Sequence, residues 1–311
     1  MDTHTGNATT PDGTRLTYRD HHAPDSQHPP LLLLHGLAGH MGEWDDLLPL
    51  LLADGHRVIT YDARGHGAST RRPPDMTRAS AVRDVTTLIE ELSLPTPVTL
   101  LGQSLGGHTA FLTAAAHPHL VDSLILVEAG PAGPSPDLPT EIATWLDSWP
   151  TPFTSLSSAA AFLGHEAWAR GLEEREDGHH PRWDRDTMLA AVAELSTRAY
   201  WPQWARVACP TLVVRGAKGT MRKAEMTRMA RTTRGGTDTD RPPTSAPAPD
   251  PHRGHRGRGP RRTPGPAAPL ARGGTDVPRG EERHMTGPRS PVPVPASRAY
   301  CRASASQFRQ T

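Results

Sequence analysis

The chain has 311 residues with a formal net charge of +1, enough length for one large domain or for one domain carrying a lid or tail. That near-neutral total hides an asymmetry: residues 231–311 hold 15 Arg, no Lys and 6 acidic residues (about +9), leaving 19 basic and 27 acidic residues (about −8) before them. Two cysteines, Cys209 and Cys301, exclude a disulfide framework and a Cys-rich metal site. Cys209, just before an apolar strand, reads as a small packed residue.

The first residues carry neither a basic nor an apolar leader segment, and Leu31–Leu34, like every other apolar run of the sequence, is far too short to span a bilayer. The expectation is a cytoplasmic protein that does not engage a membrane. Asp12-Gly13 predicts a hairpin turn between Asn7–Thr10 and Thr14–Tyr18. Leu31–Leu34, introduced by Pro29-Pro30, suits a strand buried on both faces. Met41–Ala53 shows Trp44, Leu47, Leu48, Leu51 and Leu52 on one helical face, closed by Gly55. Strand Arg57–Tyr61, helix Thr77–Leu92, strand Val98–Leu101, helix Leu105–Ala116 and strand Leu124–Val127 follow. Such alternation predicts βα units around a mostly parallel sheet, whose ligands bind at the carboxyl ends of the strands. His35-Gly36, Asp62, Ser104 and Glu128 all fall at those ends.

From Pro131 to about Tyr200 the rhythm breaks. Trp145, Trp149, Trp168 and Trp183 lie there, with helical stretches around Ser158–Arg170 and Arg185–Tyr200, and the segment reads as a helical lid. Thr211–Val214 returns to the sheet and Lys223–Arg231 begins another helix. The expected organisation is a first core part over 1–130, a lid over 131–200, a continued core over 201–230 and a Pro/Arg/Gly-rich tail over 231–311. Fourteen of the 33 prolines fall in that tail, and 235–269 contains no Val, Ile, Leu, Phe, Tyr or Trp. A segment so poor in apolar residues cannot offset its ordering entropy by burial, so it is expected to be disordered.

Gly102-Gln103-Ser104-Leu105-Gly106 carries the chemistry. A serine hydroxyl is a weak nucleophile until a base takes its proton and a sharp strand–turn–helix presents its oxygen. Such a turn crowds the chain, so the residues two positions on either side must be nearly free of side chain. Gly102 and Gly106 meet that need, after an apolar strand and before a helix-forming stretch.

With these flanks, residues 8–230 resemble the α/β-hydrolase superfamily. Leu31–Gly36 followed by Leu37, the run Tyr61-Asp62-Ala63-Arg64-Gly65-His66-Gly67, and Pro210–Gly216 carry the rest of the likeness. The resemblance implies an α/β-hydrolase fold with helices on both faces of the sheet and no need for metal or cofactor. Ser104 would be the nucleophile, and the backbone N–H groups of Leu37 and Leu105 the oxyanion hole. It also implies that Asp62 and His66 are structural, and that His35 and His40 orient neighbours rather than act as bases.

Most relatives place the triad acid after the strand that follows the lid. This chain reads Val214-Arg215-Gly216-Ala217-Lys218-Gly219 there, and its next carboxylate is Glu225, inside a helix. Some haloalkane dehalogenases instead take the acid from the preceding strand end, 24 residues after the nucleophile, which here is Glu128. A serine in place of their aspartate points to acyl transfer to water rather than halide displacement.

No base is identifiable. The family histidine follows the last strand, whereas His252, His255 and His284 all sit in the tail and none follows an apolar strand. Shifting the reading frame of Gly259–Pro266 by one nucleotide permits Gly, His, Asp, Val, His, Leu, Asp and Arg, the run that relatives carry around that histidine. The tail therefore reads as an out-of-frame sequence, lacking the last strand, its helix and the base. The leading expectation is a serine hydrolase of a small to medium ester, amide or related carbonyl compound, whose activity depends on the base that the tail lacks. A non-catalytic ligand-binding protein on the same scaffold is the alternative. An Arg-rich nucleic-acid-binding arm is the less economical account of the tail.

Overall fold

The computed structural model describes residues 3–23 and 26–232. Strands β1 (Thr3–Thr9) and β2 (Arg15–His21) form an antiparallel hairpin. Gly13 sits at φ +82°, in the left-handed region that glycine enters without strain, and the Asp12 carboxylate accepts the Thr14 N–H at 3.1 Å. The strands run past the expected hairpin at both outer ends.

Strand β3 (Leu31–Leu34) has all four leucines buried. Side chains alternate along a strand, so one leucine pair serves each face. Leu32 and Leu34 enter the cluster built around Phe111, Tyr200 and Trp204. Leu31 and Leu33 enter another with Trp44, Leu48 and Val58. An unbroken apolar run is what a strand covered on both sides requires.

The single helix expected over Met41–Ala53 is two pieces, a 3-10 turn at Met41–Trp44 and helix α1 (Leu48–Ala53). Pro49 explains the break, because it lacks an N–H and its ring would strike the carbonyl four residues back if the helix ran through. Strand β4 (Val58–Tyr61) follows, then helix α2 (Arg78–Glu91), whose Thr77 cap accepts the Ser80 N–H at 3.2 Å. Val82, Val85, Leu88 and Ile89 form its buried stripe. Strand β5 (Val98–Gln103), helix α3 (Leu105–Ala116) and strand β6 (Val121–Val127) complete the first part.

The next segment holds helices α4 (Leu138–Asp147), α5 (Leu156–Leu163) and α6 (Glu166–Ala169), a small hairpin of β7 (Glu173–Arg175) and β8 (Gly178–His180), and helices α7 (Arg185–Thr197) and α8 (Trp201–Trp204). The helix expected over Ser158–Arg170 is thus divided at Gly164, a left-handed C-cap at φ +83°. This segment has an apolar cluster of its own, including Trp145, Trp149, Trp168 and Met188, and Leu37 and Ala38 pack into it. Strand β9 (Thr211–Val214) and helix α9 (Lys223–Thr232) close the described chain.

The seven-stranded sheet has the order β1-β2-β4-β3-β5-β6-β9. Every pair from β4 to β9 is parallel, while β1–β2 and β2–β4 are antiparallel. Among the described residues β9 is paired on one side only, and its Leu212 is 57% exposed. Cys209 is half-buried against the main core. No helix among the described residues is long and apolar enough to cross a membrane, and no group of His, Cys, Asp or Glu among them could hold a metal ion. The tail beyond residue 232 lies outside the described residues.

Candidate active site

Ser104 stands between β5 and α3 with φ +51° and ψ −118°, a backbone conformation that L-residues rarely adopt. Its N–H donates to Val127 O at 2.9 Å, and its carbonyl accepts the His108 N–H at 2.9 Å. The two glycines expected to permit this turn are required by contact. A Cβ on Gly102 would lie 2.6 Å from the Gly106 carbonyl carbon, and one on Gly106 would collide with Leu34 O and His35 O.

Because β3, β5 and β6 are parallel neighbours, their carboxyl ends bring Leu37, Ser104 and Glu128 to one end of the sheet. Neither the Leu37 nor the Leu105 N–H is taken by an acceptor among the described residues. Leu105 is the first residue of α3, where an orphan N–H and the positive end of the helix dipole coincide.

Glu128 also has a positive φ, +51°, and its N–H donates to Val214 O at 2.9 Å. Its carboxylate reaches into the loop after β9. There Oε1 accepts the Gly216 N–H and Oε2 accepts the Met221 N–H at 3.1 Å. A Cβ on Gly219 would overlap this carboxylate, so the loop wraps it closely. Glu128, the residue after β6, therefore lies against the loop that follows β9. Glu225 is committed elsewhere, its Oε1 accepting the Ala132 N–H at 2.9 Å.

The polar residues of the Asp62–Gly67 run are tied into loops. Asp62 accepts the Met41 and Ala68 N–H groups, each at 2.7 Å. His35 accepts the Ala63 N–H on Nε2 at 2.9 Å and donates from Nδ1 to Gly36 O at 2.8 Å. His66 accepts the Ala38 N–H on Nε2 at 3.1 Å and donates from Nδ1 to Arg64 O at 2.8 Å. Burial pulls His35 down to about 4 and His66 to about 3, so both are neutral struts of the loop that carries Leu37. His40 is used up in the same way: Nδ1 accepts the Gly42 N–H and Nε2 donates to Ala167 O at 2.8 Å. Burial lowers its pKa as well. His108 is buried in α3 with its ring against Phe111 and Tyr200. None of these four is a ready base for Ser104, and His252, His255 and His284 lie outside the described residues.

Sequence reasoning missed the grip of the 216–221 loop on Glu128. Gly216 and Gly219, flanking a turn at the end of an apolar strand, were its only trace.

The sequence model of the alpha/beta hydrolase fold matches residues 29–169. A hydrolase of known structure from Pseudomonas aeruginosa is 30% identical, with a TM-score of 0.58 over 74% of this chain and 86% of that one. The chain is an α/β hydrolase. The structure of E-2-(acetamidomethylene)succinate hydrolase, 21% identical to this α/β hydrolase, shares its fold with a TM-score of 0.63 over 74% of this chain and 87% of that one. Among curated relatives, the mouse sn-1-specific diacylglycerol lipase ABHD11 is 36% identical over 113 residues, which is 36% of each chain. A non-heme chloroperoxidase of Streptomyces lividans is 34% identical over 126 residues, covering 40% of this α/β hydrolase and 45% of that protein. The matches thus span less than half the length of these curated relatives.

Proposed function

We propose that this α/β hydrolase is a serine hydrolase by descent, built to cleave a small to medium ester, amide or related carbonyl compound through an acyl-enzyme. The observation that carries this reading is the convergence of the Ser104 turn, two unclaimed N–H groups and an amide-held carboxylate at one end of the sheet.

Ser104 Oγ attacks the carbonyl carbon as its proton passes to a base. The Leu37 and Leu105 N–H groups receive the developing oxyanion; each such donor stabilises it by roughly 3–4 kcal/mol. Collapse of the tetrahedral intermediate breaks the bond to the leaving alcohol or amine, which takes up the proton. Water then releases the acid from Ser104 by the reverse route. Glu128 would hold the imidazole in its reactive tautomer and stabilise the imidazolium. No step needs a metal or cofactor. The Trp-bearing segment over 131–200 serves as a lid that sets substrate shape. The ester hydrolysed by the mouse diacylglycerol lipase is a substrate of this chemical class.

The base is a histidine of the functional parent, and the tail over 231–311 is read as out of frame, leaving this chain with residual catalysis at most. A cytoplasmic location and a small-molecule partner complete the proposal. The second reading, a binding protein without chemistry, is favoured by the engagement or burial of His35, His40, His66 and His108.

Labelling by a fluorophosphonate, together with hydrolysis of an activated ester, tests the reading in this chain and in the product of a frame-corrected gene. Ser104 should label rapidly only in the frame-corrected product, and turnover should rise at least a thousandfold, about three decades, on frame correction. Equal turnover would refute the frame reading, and failure of the frame-corrected product to label would refute the serine reading.

A further inference from the structure

Beside the first turn of α3 lies a small cavity of about 30 Å³, walled by Gly36, Leu105, Gly106, Arg78 and the paired Asp84 and Arg64 among others. Arg78, the first residue of α2, is only 3% exposed. Its Nη2 donates to Leu105 O at 3.3 Å and to Thr109 Oγ1, while Nε has no partner. No carboxylate among the described residues forms an ion pair with it.

The two carboxylates that act on Arg78 through space are both committed. Asp84 gives its oxygens to Arg64, at 2.5 and 2.7 Å. Glu194 Oε2 accepts from Arg198 at 2.8 Å and from the Tyr200 hydroxyl at 3.0 Å, and receives only the Arg78 backbone N–H at 3.4 Å. A buried cation without a counter-charge costs several kcal/mol. Burial pulls the guanidinium down to about 10, which still leaves it charged at neutral pH.

Leu105 and Gly106, at the amino end of the 12-residue helix α3, also line the cavity. The volume exceeds the roughly 10–15 Å³ that one water needs, yet leaves little room for a polyatomic group. We propose that this cavity is a halide site, in which a monatomic anion such as chloride accepts from Arg78 Nε and neutralises the buried guanidinium. The anion would be a structural ligand that fixes the first turn of α3 through Arg78, and it takes no part in bond making.

The test measures thermal unfolding of the full chain in sodium bromide and in sodium gluconate at matched ionic strength. Bromide should raise Tm saturably, by roughly 3–5 °C at a tenfold excess over its dissociation constant. Arg78→Met should remove the difference between the two salts, and Arg78→Lys should retain part of it. Bromide-soaked crystals give a second readout that needs no variant: an anomalous peak within hydrogen-bonding distance of Arg78 Nε. Equal melting in the two salts, a bromide effect that survives in Arg78→Met, or a cavity holding water alone would overturn the proposal. Each readout is independent of whether Ser104 turns over substrate.

Discussion

Glu43 offers a quantitative test of how the loop bearing Leu37 is held. It lies in the 3-10 turn just after that loop, where its Oε1 accepts the His40 N–H at 3.2 Å and its buried Oε2 has no partner. Burial, opposed by that bond and reinforced by Asp62, pushes its pKa from the ordinary 4.5 up to about 8. In the unfolded chain the carboxyl loses its proton near 4.5, whereas the folded chain keeps it until about 8. Over that window the native state binds more protons, so stability falls as pH rises and levels off above about 8. At about 1.4 kcal/mol for each tenfold step, the accumulated loss approaches roughly 4–5 kcal/mol, an upper limit because partial opening of the turn admits water. Glu43→Gln copies the protonated side chain and does not titrate. Urea unfolding at pH 5, 6, 7, 8 and 9 should show the variant gaining on the wild type by about 1 kcal/mol per pH step up to pH 8, then running parallel. Stability curves that run parallel throughout would refute the reasoning.

Other perturbations test the site and its supports. Ser104→Gly should abolish fluorophosphonate labelling of the frame-corrected product and, in this chain, raise stability by about 1 kcal/mol, because glycine relieves the strained φ; labelling and calorimetry read the two effects separately. Gly106→Ala forces a methyl into the carbonyls of Leu34 and His35, so soluble expression and cooperative melting should be lost or Tm should fall by more than 5 °C. Asp84→Asn breaks the buried pair with Arg64 and should cost about 3–5 kcal/mol in chemical denaturation.

The βα order, the strand ends and the Ser104 turn were legible because each rests on a local pattern. Four consecutive leucines fit only a strand covered twice, and paired glycines around a serine fit only a crowded turn. Pro49 was equally visible, yet the continuous apolar face of Met41–Ala53 masked its effect. The β7–β8 hairpin was not legible, since Glu173–Arg175 and Gly178–His180 have no apolar alternation; their pairing follows from the surrounding packing. Glu128 could be singled out by its spacing from Ser104, but its fastening could not, because the amides that hold it come from a loop distant in sequence. Arg78 was hidden for the opposite reason: an arginine at the start of a helix looks like an ordinary surface residue until its burial is seen.

The grip on Glu128 also orders events in time. The Gly216 N–H that binds it lies 88 residues further along the chain, so β3, β5 and β6 can pair before that contact exists. Closing so long an excursion carries an entropic cost that local strand pairing does not, and the acid would be seated only once β9 has docked on β6. During synthesis, a nascent chain released before β9 emerged would carry a formed Ser104 turn beside a loose Glu128. In the mature protein, local opening of β9, the edge strand of the described sheet, would release the Glu128 carboxylate while the rest of the sheet stayed intact.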